Sequence, residues 1–401
     1  MTAHTFATST RRLWRRGRAL AVIGTAVVAT GVAACGSSSS SSSGSASTSD
    51  PAAPAASVSS GGSAAQAYTA ATQFLAPHDT APITWHGPTT PDPIAKHKHI
   101  VFVDIAPTNP AVMSVGNATN LLAAKLGWQV TRIDVQNQAF SPAIQEAISL
   151  HPDGILFNFE DVETDPAAFK ALAASHIPVI VFGVSTDPVN STDPGITHIV
   201  NVEYPLQGQL TAAGATLLSR GDAHLGIFTL ANNSEETDTD NGIASYFKQH
   251  GGGTVIATDY FDPSIIFEPA PVGQAAVAFV QAHPSIKQLF VVFDGVAAEV
   301  VPALKQAGLG DVQVFSAEGD AHNINLIRTN GGEVGDAVWP YTWATFAAFD
   351  DFNRLFDKLP LPANDGIPVR EFYNADLYPG NGYWDGDYNF QAKYASLWGL
   401  G

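Results

Sequence analysis

The chain has 401 residues, with 19 Lys and Arg against 37 Asp and Glu, a formal charge of −18. A surface this acidic repels nucleic acid and anionic headgroups, which excludes both as electrostatic partners. Cys35 is the single cysteine, so no intramolecular disulfide is available and the fold has to rest on its own core.

Residues 1–34 read as a targeting segment. Arg11, Arg12, Arg15, Arg16 and Arg18 precede an uncharged apolar run from Ala19 to Ala34. That run is short for a spanning helix, which needs about 20 residues. A basic flank, a short apolar core and small residues before a cut site define a secretory signal. Val32-Ala33-Ala34-Cys35 resembles the bacterial lipobox, in which the cysteine is acylated and becomes the first residue of the mature chain. An ordinary signal peptide cut nearby is the alternative. Without its five arginines the mature chain carries 14 basic and 37 acidic residues, a charge of −23. Acylation of Cys35 would then hold it to the outer face of a bacterial cell membrane. Residues 35–62 form a Ser/Gly-rich linker that cannot bury apolar surface. As a flexible coil it reaches roughly 30 Å. Residues 63–97 form a lead-in, with a helix predicted at Ala64–Leu75 and a Pro-punctuated stretch to His97.

From His99 short apolar runs alternate with helical stripes. His99–Ile105, Gln129–Val135, Gly154–Phe159, Pro178–Gly183 and His198–Val202 are predicted strands. Between them, helices are predicted at Ala111–Leu126, Pro142–Leu150 and Pro166–Ser175, the last opened by Asp165 as cap and Pro166 at its first position. The pattern then repeats. Helices are predicted at Leu206–Leu218, Asp238–Gln249, Val272–His283, Val296–Gln306 and Ala321–Arg328. Strands are predicted at Leu225–Leu230, Thr254–Tyr260, Gln288–Phe293 and Val312–Ser316. Trp343–Lys358 is one more helix, and the tail from Ile367 is aromatic and irregular. Alternating β and α with buried strands predicts α/β architecture, with parallel sheets covered on both faces. The length predicts two lobes, because single cores stop growing near 250–300 residues.

Several stretches carry a family resemblance. They are Asn109-Pro110 after the first strand, Leu126-Gly127-Trp128 closing the first helix, Pro152-Asp153-Gly154-Ile155-Leu156, Ile177-Pro178-Val179-Ile180, and Ala282-His283-Pro284 followed by a strand and Asp294. In order and spacing they resemble the type I periplasmic binding proteins, specifically the ribose-like solute-binding lipoproteins of ABC importers. The resemblance covers most of residues 98–370. It implies two doubly wound parallel-sheet lobes joined by three crossovers, near Glu203, Val338 and Gly366. Lobe 1 would comprise 98–203 plus about 339–366, and lobe 2 would comprise 204–338 plus about 367–401. It implies a monomer that captures a small polar solute between the lobes, most often a sugar or polyol, and hands it to an ABC permease. A sensor presenting its closed form to a membrane receptor uses the same cleft, and an amine or aromatic solute remains an alternative. Neither a cofactor nor a metal is expected. An enzyme is disfavoured, because Gly-x-Ser-x-Gly, His-Glu-x-x-His and Gly-x-Gly-x-x-Gly are all missing.

The strand ends facing the cleft supply the candidate contacts. Asp104 and Asn109 follow the first strand, and Asn109 fits a helix cap equally well. Family members often place stacking aromatics just after Asn-Pro, where this chain has Ala111 and Val112. Glu160 and Asp161 follow the third strand and Ser185 the fourth, where an Asp-Arg pair is usual in the family. In the second lobe the candidates are Asn232, Asp238, Asp240, Phe293, Asp294 and Glu318, with Trp339 and Tyr341 at the second crossover. Glu236, Asp238 and Asp240 resemble a calcium loop, but Asn241 stands where that loop requires Gly. Asp294 fits a helix cap as well as a ligand contact. Trp339 and Tyr341 fit ring stacking on a ligand or hinge packing. Tyr383, Trp384, Tyr388, Phe390, Tyr394 and Trp398 crowd the tail, as a strap over the ligand or as rings stapling the tail to a lobe.

Overall fold

The structure, a computed structural model, describes residues 63–135, 139–265, 269–374, 377 and 383–401. The expected signal segment, Cys35 and the expected linker lie outside the described residues. No described helix is long and apolar enough to cross a membrane.

The first sheet contains β1 (His99–Ile105), β2 (Gln129–Val135), β3 (Gly154–Asn158), β4 (Val179–Phe182) and β5 (His198–Ile199). It is parallel, in the order β2-β1-β3-β4-β5. Successive side chains of a strand leave opposite faces. Ile100 and Phe102 of β1 therefore join one core, while Val101 and Val103 join another. Each such burial stabilises by about 1.5–3 kcal/mol. Helices cover both faces: α2 (Pro110–Leu126), α3 (Phe140–Ser149), α4 (Pro166–Ser175) and α11 (Tyr341–Phe356). A short helix, α5 (Pro188–Thr192), was not predicted. It is opened by Asp187, whose side chain accepts from Asn190 N.

The second sheet holds β6 (Ala223–Leu230), β7 (Gly253–Phe261), β8 (Gln288–Val291), β9 (Gln313–Ala317), β10 (Glu333–Val338) and β11 (Arg370–Phe372). Its order is β11-β10-β9-β8-β6-β7, and β11 alone runs antiparallel. Its helices are α6 (Tyr204–Leu218), α7 (Ser234–His250), α8 (Pro269–Ala282), α9 (Asp294–Gln306) and α10 (Ala321–Arg328). The lead-in helix α1 (Ala64–Leu75) packs on α6 and α7. The chain passes between the sheets from β5 to α6, from β10 to α11 and from α11 to β11.

Three departures from the sequence reading have physical causes. β10 was missed because Glu333 and Asp336 interrupt its apolar pattern, yet both are fully buried. Helix α7 starts at Ser234, four residues before the expected start, because Asn233 caps it by accepting from Glu236 N at 3.2 Å. The tail does not stay on the second lobe. Arg370–Phe372 extends the second sheet, and α12 (Phe390–Leu397) returns to α11. Phe390 and Trp398 stack against Trp343 and Phe346 of α11 at 5.0 and 5.8 Å, and Trp85 of the lead-in stacks on Trp343 at 5.7 Å. Rings packed on rings carry this segment, the second of the two readings that the tail's aromatic sequence offered.

Candidate functional site

A cavity of about 520 Å³ lies between the lobes, at the C-terminal ends of their strands. Ile105, Ala106, Asn109, Val112, Phe159 and Glu160 wall it from the first lobe. Gln207, Leu230, Asn233, Glu235, Glu236, Phe293 and Glu318 are among those facing them from the second, and Trp339 closes the crossover side. The chain turns sharply to leave the strands here. Ala106, Phe159 and Glu318, which follow β1, β3 and β9 within one residue, hold φ values of 59°, 58° and 115°. Non-glycine residues in this region cost on the order of 1–3 kcal/mol each, a cost that concentrates at functional sites. Gly183 lets the Phe159 ring lie close by, since a Cβ there would meet that ring at 2.2 Å.

Asn109 and Glu318 join the lobes across this cavity. Asn109 Nδ2 donates to both carboxylate oxygens of Glu318, at 3.3 and 3.2 Å. Its Oδ1 meanwhile accepts from Val112 N at 3.2 Å, capping α2. The helix cap expected of Asn109 is therefore present, and the same side chain also bridges the lobes. Tyr341 donates its hydroxyl to Glu318 Oε1 at 3.2 Å. The Tyr341 ring stacks on Trp339 with centroids 3.8 Å apart. Trp339 shows its indole to the cavity, while Tyr341 stands behind it. Tyr383 of the tail braces this crossover, accepting from Tyr341 N at 2.6 Å and donating to Trp339 O at 3.0 Å.

Carboxyl groups dominate the polar wall. Glu160, Glu235, Glu236 and Glu318 line it, and none of the lining residues among those described is Lys, Arg or His. Burial pushes Glu160 up to about 7 and Glu318 up to about 8, the latter also through Asp320. Burial likewise drives Glu235 and Glu236 well above the usual carboxylate range, and their neighbouring acids push the same way. Low local polarity disfavours the charged form of an acid, and each like charge nearby disfavours it further.

The remaining expected contacts sit elsewhere. Asp161, Ser185 and Asp238 do not line the cavity. They form a direct junction between the lobes at its rim. Asp161 accepts from Ser234 N at 2.9 Å and from Asn190 Nδ2 at 2.6 Å, and Ser234 Oγ also donates to it. Ser185 N donates to Ser234 Oγ at 2.9 Å, and Ser185 Oγ donates to Asp238. Asn232 lines a smaller adjoining hollow of about 270 Å³. Asp104 is buried against Arg132, 2.7 Å from its Nη2, so it anchors β2 to β1. Asp240 lies outside the cavity lining, its carboxyl oxygens buried and its pKa pushed up to about 7 by that burial. Asp294 opens α9 and points into lobe 2.

Asp294 belongs to a buried acidic network with Ser316, Asp320, Asn323, Glu333 and Asp336. Ser316 Oγ lies 2.6 Å from both Asp294 Oδ1 and Glu333 Oε1. A hydroxyl has one proton to give, so one of those contacts needs a protonated carboxyl. Asn323 Nδ2 donates to Glu333 Oε2 at 2.8 Å. Oxygens of Asp294, Glu333 and Asp336 lie within 4.8 Å of one another, near enough to share protons or one cation. His198 with Asp351 and Asp365 is a second such group, held as ion pairs at 3.4 and 3.6 Å when the imidazole is charged.

Sequence reasoning thus reached Asn109, Glu160, Phe293, Glu318 and Trp339 of the cavity and missed Gln207, Glu235 and Glu236 as contacts. Acids in a first helical turn read as ordinary dipole partners. Their burial was the missing signal.

Comparison with known proteins agrees with this architecture. The family model for the periplasmic binding protein domain matches residues 100–354. An ABC transporter solute binding protein from Mycobacterium smegmatis, crystallised with glycerol, is 18% identical with a TM-score of 0.61. That match covers 72% of this chain and 99% of that one. GanP, a glucose-galactose binding protein from Geobacillus stearothermophilus, is 14% identical with a TM-score of 0.62, covering 71% and 99%. A periplasmic solute binding protein from Actinobacillus succinogenes with bound D-allose is 17% identical with a TM-score of 0.61, covering 70% and 98%. At such identity these structures establish a shared fold. No curated protein matches the sequence. Two parallel-sheet lobes around an interlobe cavity, together with a family match across both of them, lead to one assignment: the chain belongs to the periplasmic binding protein domain family, a family of solute-binding proteins.

Proposed function

We propose that this chain is an extracytoplasmic solute-binding lipoprotein, anchored through Cys35, that captures a small sugar or polyol between its lobes and delivers it to an ABC importer. The observation that carries this reading is the cavity closed by Asn109 from one lobe and Glu318 from the other, with Trp339 as its aromatic side. Carboxyl and amide groups pair with hydroxyls, and an indole face stacks on the apolar face of a sugar ring. Contacts made with both lobes favour the closed form over an open one. Glycerol, D-allose and allitol occupy three of the structurally similar proteins, which supports a polyhydroxylated ligand.

A thermal-shift screen of the purified full-length chain in detergent, against sugars and polyols, tests the proposal. A captured solute raises the melting temperature by linkage. The reading fails if no solute stabilises the protein while some substrate is turned over.

A further inference from the structure

We infer that the captured solute carries a cationic amine beside its hydroxyls, an amino sugar or amino polyol in chemical class; this rests on the solute-capture reading above. Four carboxyl groups converge on the cavity, from Glu160 in one lobe and Glu235, Glu236 and Glu318 in the other. Glu318 is answered by Asn109 and Tyr341, and Glu160 by Thr164. Glu235 and Glu236 are different. They are 8% and 7% exposed, they line the cavity, and their carboxyls have no hydrogen-bond or ion-pair partner among the described residues.

Asp240, Asp336 and Glu371 are also buried without a hydrogen-bond partner among the described residues, but none of them lines the cavity, and other buried acids have a cationic partner. Asp104 has Arg132, Asp350 has Arg354, and Asp351 and Asp365 share His198. A buried carboxylate without a partner is strongly unfavourable, so one left facing a cavity calls for its partner to come from the ligand. A primary ammonium is a compact charge with three donors, suited to bridging adjacent carboxylates. The aromatic faces of Trp339, Phe293 and Phe159 on the same cavity attract a cation through their ring quadrupoles. The same arithmetic disfavours anionic solutes, since no lining side chain among the described residues carries a positive charge.

Calorimetric titration of the full-length chain with matched pairs tests this: glucosamine against glucose, galactosamine against galactose, and 1-amino-1-deoxysorbitol against sorbitol. In at least one pair the aminated member should bind about tenfold tighter or more, the scale of one charge-assisted hydrogen bond. Glu235→Gln and Glu236→Gln together should abolish that preference, with an unchanged far-UV spectrum and a cooperative melt of the unliganded variant showing that it is folded. Equal or tighter binding of the neutral members overturns the amine inference while capture of a polyol stands. An amine preference that survives the double substitution also overturns it. If no sugar, polyol or amine in a wider panel binds, the capture reading falls and takes this inference with it.

Discussion

Asn109 Nδ2 and the Glu318 carboxylate meet across the interlobe cavity at 3.2 Å. The same Asn109 caps α2 through its Oδ1. One side chain therefore couples local helix stability to lobe closure, and the two can be separated. Asn109→Asp keeps an acceptor for Val112 N but replaces the amide donor with a like charge facing Glu318. Stability of the unliganded chain should stay within about 1 kcal/mol, as caps of either type are comparable. Solute affinity should fall by about tenfold. Calorimetry beside thermal melts checks both.

Trp339 is buried and stacked on Tyr341 at 3.8 Å. Trp339→Ala should therefore cost about 3–5 kcal/mol of stability as well as ligand affinity. Trp339→Phe retains a ring in the stack and should weaken solute binding with a much smaller loss of melting temperature. Parity of the two variants in melting temperature would show that the indole is not a packing element.

The rim junction makes a different prediction. Asp161 accepts from Ser234 and Asn190 at once. Asp161→Ala removes the Ser234 link between lobes, and the Asn190 contact within the first lobe, without touching the cavity wall. The unliganded chain should shift toward an open form, seen as a larger radius of gyration in solution scattering, with solute restoring the compact value.

Buried acids set the pH dependence. Burial pushes Glu318 and Glu333 up to about 8, and Asp294 and Asp336 upward as well, with Asp320 among the like charges facing them. Folded groups with raised pKa values bind protons that the unfolded chain has lost. Their stabilisation is present in full below the ordinary carboxylate pKa and is lost as pH rises toward 8. Melting temperature should thus be higher at pH 5.5 than at pH 8, and Glu333→Gln should flatten the slope. A cation shared by Asp294, Glu333 and Asp336 would reverse the trend and make the melting temperature fall on chelation, which calorimetry with and without EDTA resolves.

Cys35 lies outside the described residues, and its role is tested in cells. Cys35→Ser should move the protein from the membrane fraction to the soluble fraction, because the charge of −23 expected once residues 1–34 are removed offers no electrostatic hold on anionic lipid. The released chain should bind its solute unchanged. Retention in the membrane fraction would overturn the lipid-anchor reading.

Much was legible from residues alone. Apolar runs such as His99–Ile105 and Gln288–Phe293, set between helical stripes, announced parallel sheets, because strands buried on both faces are mostly apolar along their length. Asn109-Pro110 and Asp165-Pro166 marked helix starts through local chemistry that needs no tertiary context. What tertiary structure decided was the fate of the polar groups. Asp104 found Arg132, and Asp161 found Ser234. Glu235 and Glu236 came to face the cavity, and Glu333 and Asp336 became the core of a strand. A carboxylate's sequence neighbours say nothing about which distant group it will meet or how much water it will lose. Those two quantities settle whether it anchors, bridges or binds.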